Sequence, residues 1–172
     1  NDSTLVIWNI RTGQESHTLQ VQAKFLENIL FSPRNNFIAT TFKDKVTQVW
    51  DISSGIDTQA RRRFLFRGVP ITFSPDEKFL LAKTDLGVTG IWEIARGTQK
   101  QTLFDNLDNS PKPSFFFDYS SIIASTGKRS TKIWDVGSGE VTITIPEAMS
   151  ACSISPDGTL VATSGNGTTK IR

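Results

Sequence analysis

Arg61-Arg62-Arg63, followed by Arg67, is the charge cluster that stands out in this 172-residue chain. Guanidinium groups fork onto carboxylates and phosphates with paired hydrogen bonds, so such a cluster suits an acidic peptide, a phosphorylated tail, an anionic lipid or a nucleic-acid backbone. Aromatic residues interleaved for base stacking are sparse, which argues against specific single-strand binding. Over the whole chain nineteen Lys and Arg face seventeen Asp and Glu, a formal net charge of +2. That balance is too even for bulk attraction to nucleic acid or an anionic membrane. Any partner must be held by a local patch.

Other reactive residue types lead less far. A Cys-His nucleophile would need the one cysteine, Cys152, and the one histidine, His17, which lie in strands at opposite ends of the chain. Gly137-Ser138-Gly139 resembles a nucleophile turn, but it occupies a recurring structural turn. Asp51, Asp76, Asp118, Asp135 and Asp157 also recur at turn positions, where aspartate caps its own backbone. Phosphate-loop, His-Glu-x-x-His, Cys-x-x-Cys and Gly-x-Ser-x-Gly signatures are missing. The reading is therefore a non-enzyme, with no catalytic residues, metal ligands or cofactor. Asn1-Asp2-Ser3 and Asn166-Gly167-Thr168 match the glycosylation triplet, but both fill hairpin-turn slots and are not taken as signs of secretion. A lone cysteine allows no internal disulfide, which points to a cytoplasmic setting. No apolar run approaches the roughly 18 residues of a membrane span.

The elements that carry these residues repeat. Trp8, Trp50, Trp92 and Trp134 are spaced by 42 residues, and so are Gly13, Gly55, Gly97 and Gly139. Glycine tolerates the positive φ of a tight turn after each tryptophan strand. Polar, β-prone segments such as Glu140–Ile145 follow as outer strands. Phe31-Ser32-Pro33, Phe73-Ser74-Pro75 and Ile154-Ser155-Pro156 close short strands, because proline cannot donate to a ladder. Compact runs such as Ile38-Ala39 and Leu80-Leu81-Ala82 suit strands buried on both faces. Hairpin turns at Lys43-Asp44-Lys45, Asp85-Leu86-Gly87, Gly127-Lys128-Arg129 and Asn166-Gly167 lead back to tryptophan strands. Each unit thus reads as four antiparallel strands: two inner, one bearing tryptophan, one outer.

In their order and spacing the Phe-Ser-Pro-Asp, Val-Trp-Asp and Ile-Trp-Asp strings resemble the WD-repeat β-propeller family over nearly the whole chain. The resemblance implies an all-β fold, a β-propeller of four-stranded antiparallel blades. It also implies a non-catalytic scaffold or signalling sensor that binds protein or peptide through rim loops. The histidine of the family's Gly-His pair is missing: those positions read Val21-Gln22, Arg63-Phe64 and Asp105-Asn106. The usual histidine-centred network cannot form, so cohesion must rest mainly on apolar packing. His17 is expected to face solvent from an outer strand. Phe115-Phe116-Phe117-Asp118 replaces the Phe-Ser-Pro-Asp string in the third blade and is read as core filling.

Partition by strands gives residues 1–20 as the last two strands of a blade, 21–62, 63–104 and 105–145 as blades, and 146–172 as the first three strands of another. The expectation is a partial propeller of about four blades, cut at both ends, with an apolar face bare at each end. Further blades of a parent chain are the expected neighbours, a second copy of the chain the alternative. Arg61, Arg62, Arg63 and Arg67 are placed in the loop entering the second full blade. Lys83, Lys112, Lys128 and Arg129 are expected on the same rim, as candidate contacts for a protein or peptide, with electrostatic binding of nucleic acid, a phosphopeptide or anionic lipid the alternative and a propeller enzyme the weakest reading.

Overall fold

The serine of each Ser-Pro string closes the same turn. Ser32 N–H donates to Phe37 O, Ser74 N–H to Phe79 O and Ser155 N–H to Leu160 O, each at 2.9 Å. Each serine Oγ in turn accepts the N–H of that same residue at 2.9 Å. One side chain therefore satisfies a backbone donor at the point where proline ends the ladder.

The computed structural model describes residues 4–21, 25–53, 61–103, 114–115, 121–126, 130–146, 151–155, 160–165 and 168–171. These form strands and turns, with no helix among the described residues. The first sheet has two strands, β1 (Thr4–Asn9) and β2 (Gln14–Gln20). The second runs in the order β3 (Leu26–Phe31), β4 (Phe37–Phe42), β5 (Val46–Asp51), β6 (Arg61–Arg67). The third comprises β7 (Val69–Phe73), β8 (Phe79–Lys83), β9 (Thr89–Glu93) and β10 (Thr98–Leu103). The fourth comprises β11 (Ser114–Phe115), β12 (Ser121–Thr126), β13 (Ser130–Asp135) and β14 (Val141–Ile145). Last comes a three-stranded sheet of β15 (Ala151–Ile154), β16 (Val161–Gly165) and β17 (Thr168–Ile171). Every neighbour is antiparallel and consecutive in sequence.

The tryptophans hold one register: Trp50 faces Ile38, Trp92 faces Leu80 and Trp134 faces Ile122. Beside each tryptophan the outer strand carries one extra residue, a bulge at Ser16, Arg63, Lys100 and Thr142. A bulge sharpens local twist, so its recurrence gives successive sheets a common shape. Gly13, Gly97 and Gly139 have φ of +68°, +66° and +78°, and the N–H of each donates four residues back, to Asn9 O, Glu93 O and Asp135 O. Gly55 lies outside the described residues.

Most of the contact between sheets is apolar, alongside polar ties such as Glu77 to the β3–β4 turn. Trp50 and Ile52 join Leu19 and Val21 of the preceding sheet. Trp92 and Ile94 join Ala39, Val49 and Phe66, and Trp134 and Val136 join Leu81 and Ile91. One polar leg survives the missing histidine: Trp50 Nε1 donates to Thr40 Oγ1 at 3.0 Å.

Two expectations need correction. His17 is buried, not solvent-facing, because His17 and Leu19 alternate onto the face of β2 that meets the second sheet, and Val21, just past the strand, follows them. The boundary at residue 62 also fails, since β6 continues to Arg67 in the sheet of β3 to β5. Its bulge, Arg63, lies thirteen residues after Trp50, whereas Ser16, Lys100 and Thr142 lie eight after theirs. The longer turn is offset by a single residue, Gly68, between β6 and β7, so the 42-residue spacing hides the displacement. The Phe116-Phe117-Asp118 part of the expected core filling lies outside the described residues.

Candidate partner-binding surface

Placing β6 as the outer strand changes what its arginines can do. Val49 pairs with Phe64 and Thr47 with Phe66, so both phenylalanines turn toward the third sheet and leave the charged residues outside. Arg63, at the bulge, is already engaged. Its Nη1 donates to Asp51 Oδ2 at 2.9 Å, and its guanidinium sits 5.7 Å from the centre of the Phe37 ring. Burial raises the Asp51 pKa, but hydrogen bonds from the Ser53 hydroxyl and N–H and from Arg63 outweigh it and hold the carboxyl below its usual value. Arg63 therefore belongs to the framework.

Arg61, Arg62 and Arg67 are exposed, and no ion pair with a described residue engages them. They lie on a strand and not in the expected loop. Lys83 ends β8 on the neighbouring sheet, with its backbone carbonyl so close to Gly68 that a Cβ built there would stand 2.5 Å away. That contact requires glycine directly after Arg67, and Gly68 has φ of +146°. Lys112, Lys128 and Arg129 lie outside the described residues.

At the Arg67 end of β6 the second and third sheets part to form a cleft of about 520 Å³, lined by Phe66, Arg67, Asp85, Leu86, Trp92 and Thr102, among others. Its floor is aromatic: the Phe66 and Trp92 rings stack with centroids 4.5 Å apart. Leu86 is exposed at the tip of the β8–β9 turn. An aromatic floor with one cation and one carboxylate at its mouth can hold an apolar side chain and orient the polar chain bearing it. The signal for β6 was present in the alternation Phe64-Leu65-Phe66; the cleft depends on how two sheets diverge and has no sequence mark.

The carboxylates expected at turns behave as caps where they are described. Asp76 Oδ1 accepts from Ser74 Oγ at 2.7 Å and Lys78 N–H at 3.1 Å. Asp135 Oδ1 accepts from Ser138 N–H at 2.5 Å. Burial raises the Asp76 pKa, while bonds from Ser74 and Lys78 bring it below the usual value. For Asp135 the backbone bond from Ser138 leads, followed by its hydroxyl, and the pKa is again lowered. Such acids stay ionised and tied to the backbone. Among the described residues no group of three His, Cys, Asp or Glu side chains could hold a metal ion, and no helix is long and apolar enough to cross a membrane.

Residues 140–171 match the family model described as WD domain, G-beta repeat. No curated protein matches the chain. The matched segment runs from the turn after Trp134 through β14, β15, β16 and β17. The chain therefore carries a WD repeat of the G-beta type, set among all-β antiparallel sheets consistent with the blades of a WD-repeat propeller.

Proposed function

We propose that this chain is a non-catalytic interaction scaffold, with a protein or peptide partner held at the cleft beside Arg67 and the adjoining β8–β9 turn. A WD repeat supports a protein-interaction role in general, and repeats of this kind are generally non-catalytic. One observation carries the finer reading: a preformed aromatic cleft between two sheets, with exposed Leu86 on one wall and Arg67 on the other. Rigid walls reduce the ordering cost of association, and a central aromatic pocket is where binding energy concentrates. The single cysteine supports a cytoplasmic setting as part of the same proposal.

A photo-crosslinking residue in place of Leu86, compared with one in place of exposed Gln14 on β2, tests this in a cell extract. The expected result is a protein adduct specific to position 86, whose purified partner loses about tenfold in affinity on Arg67→Glu. Equal adducts at both positions, or a purified partner indifferent to Arg67→Glu and Leu86→Asp, would refute the assignment.

A further inference from the structure

Of the four outer strands, β6 alone concentrates cations. β2 reads Gln-Glu-Ser-His-Thr-Leu-Gln and β14 Val-Thr-Ile-Thr-Ile. β10 holds one lysine, Lys100, whose Nζ lies 5.2 Å from the centre of the Phe79 ring. β6 reads Arg-Arg-Arg-Phe-Leu-Phe-Arg. Once Arg63 is paired with Asp51, Arg61, Arg62 and Arg67 remain, with exposed Leu65 between them. Among the described residues no strand pairs with the outer edge of β6, and no described strand takes up its backbone donors and acceptors there.

We infer that the outer edge of β6 is a docking edge for an extended acidic peptide segment, which adds to the sheet as a further strand. The inference rests on the scaffold reading and names the partner's chemistry. Main-chain hydrogen bonds supply the register. Cross-strand neighbours about 5 Å away supply specificity: carboxylates opposite Arg61, Arg62 and Arg67, and an aliphatic residue opposite Leu65. Arg62, Leu65 and Arg67 register with Trp50, Gln48 and Val46, whereas Arg61 registers with Asp51. Because 62 and 61 project to opposite faces, consecutive acids are needed at that end of the ligand. Chain continuing past Arg67 reaches the aromatic cleft.

The probe is the peptide Glu-Thr-Val-Thr-Glu-Glu, blocked at both ends. Antiparallel to β6 and passing over the bulge at Arg63 as β5 does, its first residue meets Arg67, its third Leu65 and its last two Arg62 and Arg61. Calorimetry with the full chain is expected to show binding that weakens with salt. Affinity should drop at least about tenfold for the peptide with lysine in place of glutamate, and similarly for the Arg61→Glu/Arg67→Glu chain. Arg62→Glu alone provides a second, milder variant. N-methylation at alternate residues, which removes backbone donors and leaves the charges, should also abolish binding. Equal binding of the N-methylated peptide would overturn strand addition but leave the scaffold reading standing, since the Leu86 adduct and its partner are measured separately. No binding of the probe, indifference to charge reversal, or preference for a single-stranded oligonucleotide of equal charge would each overturn the proposal.

Discussion

Trp8 and Trp50 occupy the same place in the repeat beside the same bulge, yet Trp8 is 56% exposed and Trp50 4%. Two residues on, Ile10 is 96% exposed, whereas Ile52, Ile94 and Val136 are 7%, 2% and 1%. A Cβ built on Gly13 would meet nothing within 4 Å, but one on Gly97 would lie 2.7 Å from Phe64 Cβ. The first sheet forms the tryptophan strand, the glycine turn and the bulge without any described sheet against its tryptophan face. Local sequence sets strand, turn and register, while burial is conferred by the sheet in front. The hydrophobic core of this fold lies between repeats and not within them, the energetic pattern of a stacked array.

The largest effect should separate equivalent tryptophans. Trp92→Ala removes a ring stacked on Phe66 and packed against Ala39 and Val49, and should cost about 3–5 kcal/mol in denaturant unfolding. Trp8→Ala should cost less than about 0.5 kcal/mol. Equal losses would mean that the first sheet has an unrecognised cover, and the contrast would collapse.

Glycine substitution sharpens the same contrast by separating backbone strain from crowding. Gly13→Ala places a side chain at φ +68° in open space, a cost of about 1 kcal/mol. At Gly97 the strain is similar, at φ +66°, and Phe64 must also move, so Gly97→Ala should cost about 2–3 kcal/mol. A third comparison sets polar support in the second sheet against its absence in the fourth. Thr40 Oγ1 accepts from Trp50 Nε1, but alanine, Ala124, stands at the same repeat position in the fourth sheet, and buried Trp134 Nε1 has no partner among the described residues. Thr40→Val should therefore cost about 1–2 kcal/mol. Trp50→Phe should cost about 1 kcal/mol more than Trp134→Phe, because only the former breaks a hydrogen bond. Thermal or denaturant melts of the five variants decide both points.

How much of this was legible follows from where each signal resides. Strand type, turn glycines, Ser-Pro turns and capping aspartates are local, and Gly97, Ser74 and Asp76 stand in the roles their spacing announces. His17 taken as a lone polar residue reads as solvent-facing, yet the period-two pattern it shares with Leu19 and Val21 places all three on one buried face. Arg61–Arg67 reads as loop in the sequence because two compensating length changes, in the turn before β6 and the connection after it, leave the tryptophan interval intact. The bulges at Ser16, Arg63, Lys100 and Thr142 share no residue type and could be found only from pairing. The cleft beside Arg67 arises from two sheets at once, so no single segment encodes it.

Glu77 gives the finest test, because it ties two sheets by a polar contact that the first sheet does not make to a described sheet in front of it. It lies in the β7–β8 turn at φ +61°, buried, with Oε1 accepting Arg34 N–H at 2.7 Å and Oε2 accepting Asn36 Nδ2 at 2.6 Å, both from the β3–β4 turn. Burial alone would raise its pKa, but hydrogen bonds from Ser32, Arg34 and Asn36 outweigh that and hold it below the ordinary 4.5. A carboxyl depressed on folding stabilises the native state fully above its unfolded pKa, and that stabilisation fades as pH falls through the lower folded value. At neutral pH Glu77→Gln should therefore cost about 1 kcal/mol, and the gap to wild type should narrow as the solution is acidified below pH 4.5. Asp51, Asp76 and Asp135 titrate in both proteins, so only the difference between the two curves reports on Glu77. A gap that stays constant down to strong acid would show that the bond between the β3–β4 and β7–β8 turns does not depend on the charge, whereas no gap even at neutral pH would leave apolar contact as the cohesion between these sheets.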